Sequence, residues 1–199
     1  MPEDTPVVLT PVEEAAVKAS SFDVLYHPTE KIPTIVVDNF PALGKLAAMR
    51  FVEWVQNHPG GVISLPTGKS PEHFIRWVQR LLANWNKRET HKILEEAGVD
   101  PARKPDMGSL HFVQIDDFYP LDSAQHNSFY HYVKHFYIEG FGLDPAKALL
   151  IDSTAIGLRP GETLASVWPD KHVDLTLRYR LARTNLEHRQ KTLLEDIDQ

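Results

Sequence analysis

Residues 61–82 read GVISLPTGKSPEHFIRWVQRLL. The first five, 61–65, form an apolar run rich in β-branched residues, which predicts a short buried strand. Pro66, Thr67 and Gly68 end it. Ser70 is a favoured helix N-cap, and Pro71 suits the first helical position, where its missing N–H costs nothing. From Ser70 to about Lys87, residues Phe74, Ile75, Val78, Leu81 and Leu82 recur on one side at helical spacing. Strand, tight polar turn and amphipathic helix together make one βα unit.

The pattern repeats on either side. Residues 42–57 place Leu43, Leu46, Ala47, Phe51, Val52 and Val55 near helical spacing, and HPGG at 58–61 ends that helix. LHFVQID (110–116) and ALLID (148–152) are two further buried strands. His126 to about Ile138 is an aromatic helix, and 88–108 is a helical or loop insertion. The proline-rich stretch 1–35 is an arm with one short helix over Pro11–Ser20. Residues 153–175 are rich in turns, and Arg178–Asp198 forms a last helix with Leu181, Leu186, Leu193 and Ile197 as its apolar positions. Apolar strands alternating with amphipathic helices predict an α/β fold, a three-layer Rossmann-like parallel sheet with helices on both faces, and a single domain over 1–199.

Composition removes several function classes. A net charge of −6, with no basic run, gives no electrostatic footprint for nucleic acid. The absence of cysteine removes disulfides, thiolate metal sites and cysteine nucleophiles together. The acidic N-terminus has no apolar core segment of a signal peptide, and no run approaches the length of a membrane span. The expected place is the cytoplasm. His131 and His135 share a helix face without the carboxylate of an H-E-x-x-H motif, so no metal is expected; the P-loop spacing is absent, and no other cofactor is expected either. No G-x-S-x-G elbow supports serine-hydrolase chemistry.

Two strand ends carry candidate chemistry. In open α/β sheets, ligands sit beyond the carboxyl ends of the strands. PTGKSP (66–71) lies there, ahead of a helix N-terminus that carries about half a positive charge and unsatisfied N–H groups. Gly68 permits close backbone approach, Thr67 and Ser70 offer hydroxyls, and Lys69 offers charge. The same residues also describe a capped helix after an ordinary turn. QIDDFYPLD (114–122) sets Asp116 beside Asp117. Neighbours on a strand point to opposite faces, so the two acids cannot share a role. One is placed to move protons on a bound substrate and the other to brace a loop or helix; a solvated loop start reads the same way.

Taken together, these segments resemble the glucosamine-6-phosphate deaminase family. LPTGKSP resembles that family's LPTGGTP-type phosphate loop. FVQIDDFYPLDSAQHNSFYHYVKHFY resembles its F-N-M-D-E-Y strand end followed by S-Y-x-x-F, and GLDPAKALLID resembles its D-I-P…N-I-N-L-L segment. The resemblance covers about residues 40–152. It implies that Thr67, Gly68, Lys69 and Ser70 bind a sugar phosphate, and that Asp116 is the general base moving a proton between C1 and C2. Asp117 is then its acidic partner, and Ser128 lines the substrate. It further implies conversion of a hexosamine 6-phosphate to a ketose 6-phosphate with loss of ammonia.

The chain departs from the family at three points. Lys69 stands where the loop has a second Gly, and Phe118 replaces the Tyr. The later G-x-G-x-D-G-H-I-A-F-N-E motif, which serves ring opening, does not occur. These 199 residues therefore look like the N-terminal part of a longer protein that supplies the rest of the chemistry. A core cut before its remaining strands would expose sheet edge and apolar surface, so the chain is expected to associate with itself, as a homo-oligomer, or with its missing half. The related 6-phosphogluconolactonases favour D-E-R, and no Arg follows Asp117 before Arg159. The non-enzyme alternative is a sugar-phosphate-binding module.

Overall fold

The computed structural model describes residues 8–20, 34–118, 121–167 and 176–198. Most of the proline-rich arm, residues 119–120 and the 168–175 part of the turn-rich segment lie outside them. The chain forms two compact units, Met1–Val113 with His135–Leu149, and Gln114–Lys134 with Leu150–Gln199.

The first unit holds the sheet. β1 (Val62–Ile63), β2 (His111–Val113) and β3 (Ala148–Leu149) pair in parallel in the order β1-β2-β3. Ile63, Phe112 and Ala148 stand in register. The fold is the expected Rossmann-like α/β arrangement of parallel strands joined by helices. The ladders are shorter than the apolar runs predict, and side chains explain where they stop. Ser64 Oγ donates to the Val113 carbonyl at 2.7 Å, which occupies a ladder acceptor, and Pro66 has no N–H to offer.

Ile63 and Phe112 are buried on one face of this sheet. Around them pack α2 (Phe40–Asn57), α3 (Glu72–Ala83) and the π-helical stretch Lys134–Glu139. The aromatic core runs Phe51–Phe74–Phe141–Tyr137–Phe112, with ring centroids 5.2–6.0 Å apart in tilted or edge-on pairs. Such geometry suits the ring quadrupoles. Val62 and Leu149, on the opposite face, are 65% and 68% exposed. A second cluster joins Val12 of α1 (Pro11–Ala19) to Met49, Val52, Leu81, Trp85, Val99 and Leu94 of α4 (Arg88–Glu96).

α2 and α3 cross closely at Gly44. A Cβ there would lie 2.4 Å from the His73 Cβ and 2.8 Å from the His73 carbonyl carbon. Neither atom can swing aside, so Gly44→Ala is expected to force the helices apart. The cost of such overpacking is about 1–3 kcal/mol. The midpoint of denaturant unfolding measures it, and an unchanged midpoint would show that the pair separates freely.

The second unit contains α5 (Phe129–Val133), α6 (Leu164–Val167) and α7 (Asn185–Asp198). α7 starts seven residues later than the periodicity predicts. Thr184 and Glu187 form a capping box there: Thr184 Oγ1 accepts from Glu187 N at 3.1 Å, and Glu187 Oε2 accepts from Thr184 N at 2.8 Å and Arg183 N at 2.6 Å. These backbone donors hold the Glu187 carboxyl below its ordinary value. Leu181 falls outside the helix and is 85% exposed, while Leu193 and Leu194 are buried.

Candidate functional site

β1 and β2 are parallel neighbours, so both hand over to their loops at the same edge of the sheet. In the loop after β1, the Pro66 carbonyl accepts a hydrogen bond from the hydroxyl of fully buried Tyr137. Thr67 is half-buried, and Gly68, Lys69 and Ser70 are exposed. Gly68 has φ +91°, a backbone state that other residues reach only with strain.

The expected Ser70 cap is not formed. The helix begins at Glu72, Pro71 takes the cap position with φ −82° and ψ 2°, and no side chain caps it. A tight turn replaces the cap: Glu72 N–H donates to the Lys69 carbonyl at 3.3 Å, and Ile75 N–H to Pro71 at 2.9 Å. The Ser70 hydroxyl is therefore not used on the helix. Glu72 would oppose an anion at this terminus, but Arg76 Nη2 lies 2.5 Å from its carboxylate and offsets the charge. Loop and helix together present hydroxyls, Lys69 and a helix terminus, which suits a phosphate.

In the second unit the two acids have different surroundings, though both lie beyond β2, whose last residue is Val113, so strand alternation does not decide between them. Asp117 is half-buried and braces α5. Its Oδ1 accepts from Phe118 N at 2.7 Å and Phe129 N at 3.1 Å. Its Oδ2 accepts from Tyr130 N at 2.9 Å and the Ser128 hydroxyl at 3.1 Å. The carboxylate thus meets two orphan N–H groups at the start of α5, besides the N–H of the residue that follows it. Ser128 is fully buried, and its hydroxyl also accepts from His131 N at 3.4 Å. It is an N-cap, and with no exposed surface it does not line a substrate in this conformation. Asp116 is exposed, and its carboxylate takes no hydrogen bond among the described residues. Of the pair, Asp116 is the acid able to meet a ligand.

Periodicity did not single out two residues that shape this region. Gln114 is buried and bonds to residues 116, 117 and 151. The readable signal was a polar residue two after Phe112 in the apolar run 110–116. Asp152 lies just beyond β3. Burial pushes its carboxyl up, but hydrogen bonds from the Thr154 hydroxyl, Ser123 and the Thr154 N–H outweigh that and leave it below its ordinary value. Thr154 Oγ1 and N lie 2.6 and 3.0 Å from Asp152 Oδ1. This ionised staple holds the loop after β3 together. Among the described residues no group of three or more His, Asp or Glu side chains is placed to hold a metal ion. No described helix is long and apolar enough to cross a membrane.

Fold and site together define an α/β protein with polar loops at the carboxyl edge of a parallel sheet. No family profile matches the chain, and no curated protein matches it. A solved structure of a monomeric glucosamine-6-phosphate deaminase, described as a missing link of the NagB superfamily, superposes with a TM-score of 0.46 at 19% identity. The superposition covers 60% of this chain and 42% of that one, so this chain spans less than half of that structure's length.

Proposed function

We propose that the chain is a sugar-phosphate isomerase and deaminase that, in its full-length form, converts a hexosamine 6-phosphate and water to a ketose 6-phosphate and ammonia. We place it in the cytoplasm, as a homo-oligomer. The observation that carries this reading joins sequence to topology. In sequence the two motifs that resemble the deaminase family, LPTGKSP and QIDDF, follow β1 and β2, parallel neighbours that end at the same edge of the first unit's sheet. That edge is where ligands of open α/β sheets bind.

In this reading Thr67, Gly68, Lys69 and Ser70 take the phosphate and Asp116 moves the proton between C1 and C2. Asp117 and Ser128 hold α5 and the backbone beside Asp116. A carboxylate takes a carbon-bound proton efficiently only when close and shielded from water. Asp116 is exposed, so substrate binding has to displace that water. Its exposure, with no acid–base partner among the described residues, also supports a second reading, a module that binds sugar phosphate without turning it over.

The loop is tested by titrating the protein with glucosamine 6-phosphate while following backbone amide resonances. Saturable shifts at residues 67–72, weakened by Ser70→Ala and absent with unphosphorylated glucosamine, are expected. Shifts confined to other segments would remove the loop from the site.

A further inference from the structure

Gln114 directly follows β2, and its side chain is 4% exposed. A buried amide is costly unless both its ends find partners. Here both do. Oε1 accepts from Ile151 N at 3.0 Å. Nε2 donates to the Asp116 carbonyl at 2.8 Å and reaches Asp117 Oδ2 at 3.4 Å. Two acceptors face one end and a donor faces the other, which fixes the orientation of the amide.

We propose that Gln114 is the positioning residue for the Asp116 carboxylate, a buried amide clamp that ties the backbone of residues 116–117 to Ile151. The inference rests on the reading of Asp116 as the proton-transferring group. Asp116 lies three residues beyond the last residue of β2, and its own carboxylate takes no hydrogen bond among the described residues. Its backbone therefore sets its position, and Gln114 holds that backbone at the carbonyl. A general base must stand within hydrogen-bond reach of its proton, and a misplacement of about 1 Å costs on the order of 10²-fold in rate. The clamp needs a donor and an acceptor on one side chain of this length. An ionised carboxylate cannot donate, a thioether does neither well, and Asn is one methylene shorter.

Two substitutions in the full-length protein test the clamp. Gln114→Met keeps the size and removes both ends. Gln114→Glu keeps the acceptor for Ile151 but loses the donor while ionised and regains one when protonated. Burial and the neighbouring Asp117 raise the pKa of that introduced carboxyl. The titratable groups beside it are Asp116 and Asp117, with Asp152 following Ile151 in the chain. The Met variant is expected to lose about 10²-fold in kcat with KM for hexosamine 6-phosphate little changed, and to exchange the Ile151 amide proton faster. The Glu variant is expected to keep Ile151 protected and to lose kcat as pH rises, in a limb that the wild type lacks. A purely structural role would move exchange and stability without adding that limb. Wild-type kcat in the Met variant, or a wild-type pH profile in the Glu variant, would overturn the proposal. Wild-type protein that neither releases ammonia nor exchanges substrate C–H protons in D₂O would overturn the functional reading instead. Unchanged Ile151 exchange in the Met variant would refute the clamp whether or not the functional reading stands.

Discussion

Asp116→Asn is expected to lower turnover of a hexosamine 6-phosphate by the full-length protein by roughly 10²–10⁴-fold, the usual contribution of a positioned general base. The substitution keeps shape and removes the basic oxygen pair. It should not disturb the fold, because the Gln114 clamp holds the backbone carbonyl of residue 116 and not its side chain. Sugar-phosphate binding should persist, since the loop at 66–71 supplies hydroxyls, Lys69 and a helix terminus of its own. The loss should therefore fall on kcat while KM changes little. Steady-state kinetics of the variant check this, and retention of most of the wild-type kcat would remove Asp116 from proton transfer.

Asp117→Ala is expected to act through stability. It deprives Phe129 N, Tyr130 N and the Ser128 hydroxyl of their acceptor at the start of α5. Loss of a helix cap alone costs about 1 kcal/mol. Hydrogen bonds to charged groups are worth about 1.5–3 kcal/mol, and buried donors left unpaired add to the loss. A total of roughly 2–4 kcal/mol is a large share of the 5–15 kcal/mol that holds an ordinary domain together. Asp117→Asn should recover part of it, because one side-chain oxygen still accepts. Chemical denaturation of the two variants measures the difference. An alanine variant as stable as the wild type would show that α5 is held by other contacts.

The neighbouring acids show how far the sequence could be read. Alternation along a strand reaching residue 116 predicted different roles for Asp116 and Asp117, but β2 ends at Val113 and hydrogen bonding to α5, not alternation, separates them. Which acid braces and which is exposed depends on α5, whose first residues lie eleven to thirteen positions away, and no local pattern carries that. The three strands and the helices α2 and α3 were legible because burial imposes periods of two and 3.6 residues on apolar side chains. Their ends were not, because single side chains set them. Ser64 occupies a ladder carbonyl, and Gln114 takes the Ile151 N–H beyond β3. The start of α7 was legible in principle: Thr184 and Glu187 stand at the T-x-x-E spacing of a capping box, a signal that the longer leucine pattern over 181–197 obscured. Ser70 shows the reverse case, a residue type that favours capping but left off the helix when Pro71 and the 69–72 turn started it instead.

Sugar-phosphate deamination is tested most directly by incubating the purified full-length protein with hexosamine 6-phosphates and assaying ammonia and ketose 6-phosphate together. The account predicts that both products form in equal amounts from a 6-phosphorylated amino sugar and not from the free amino sugar, and that both are lost with Asp116→Asn. Saturable binding of the sugar phosphate with neither product formed, and with no deuterium entering the substrate from D₂O, would contradict it.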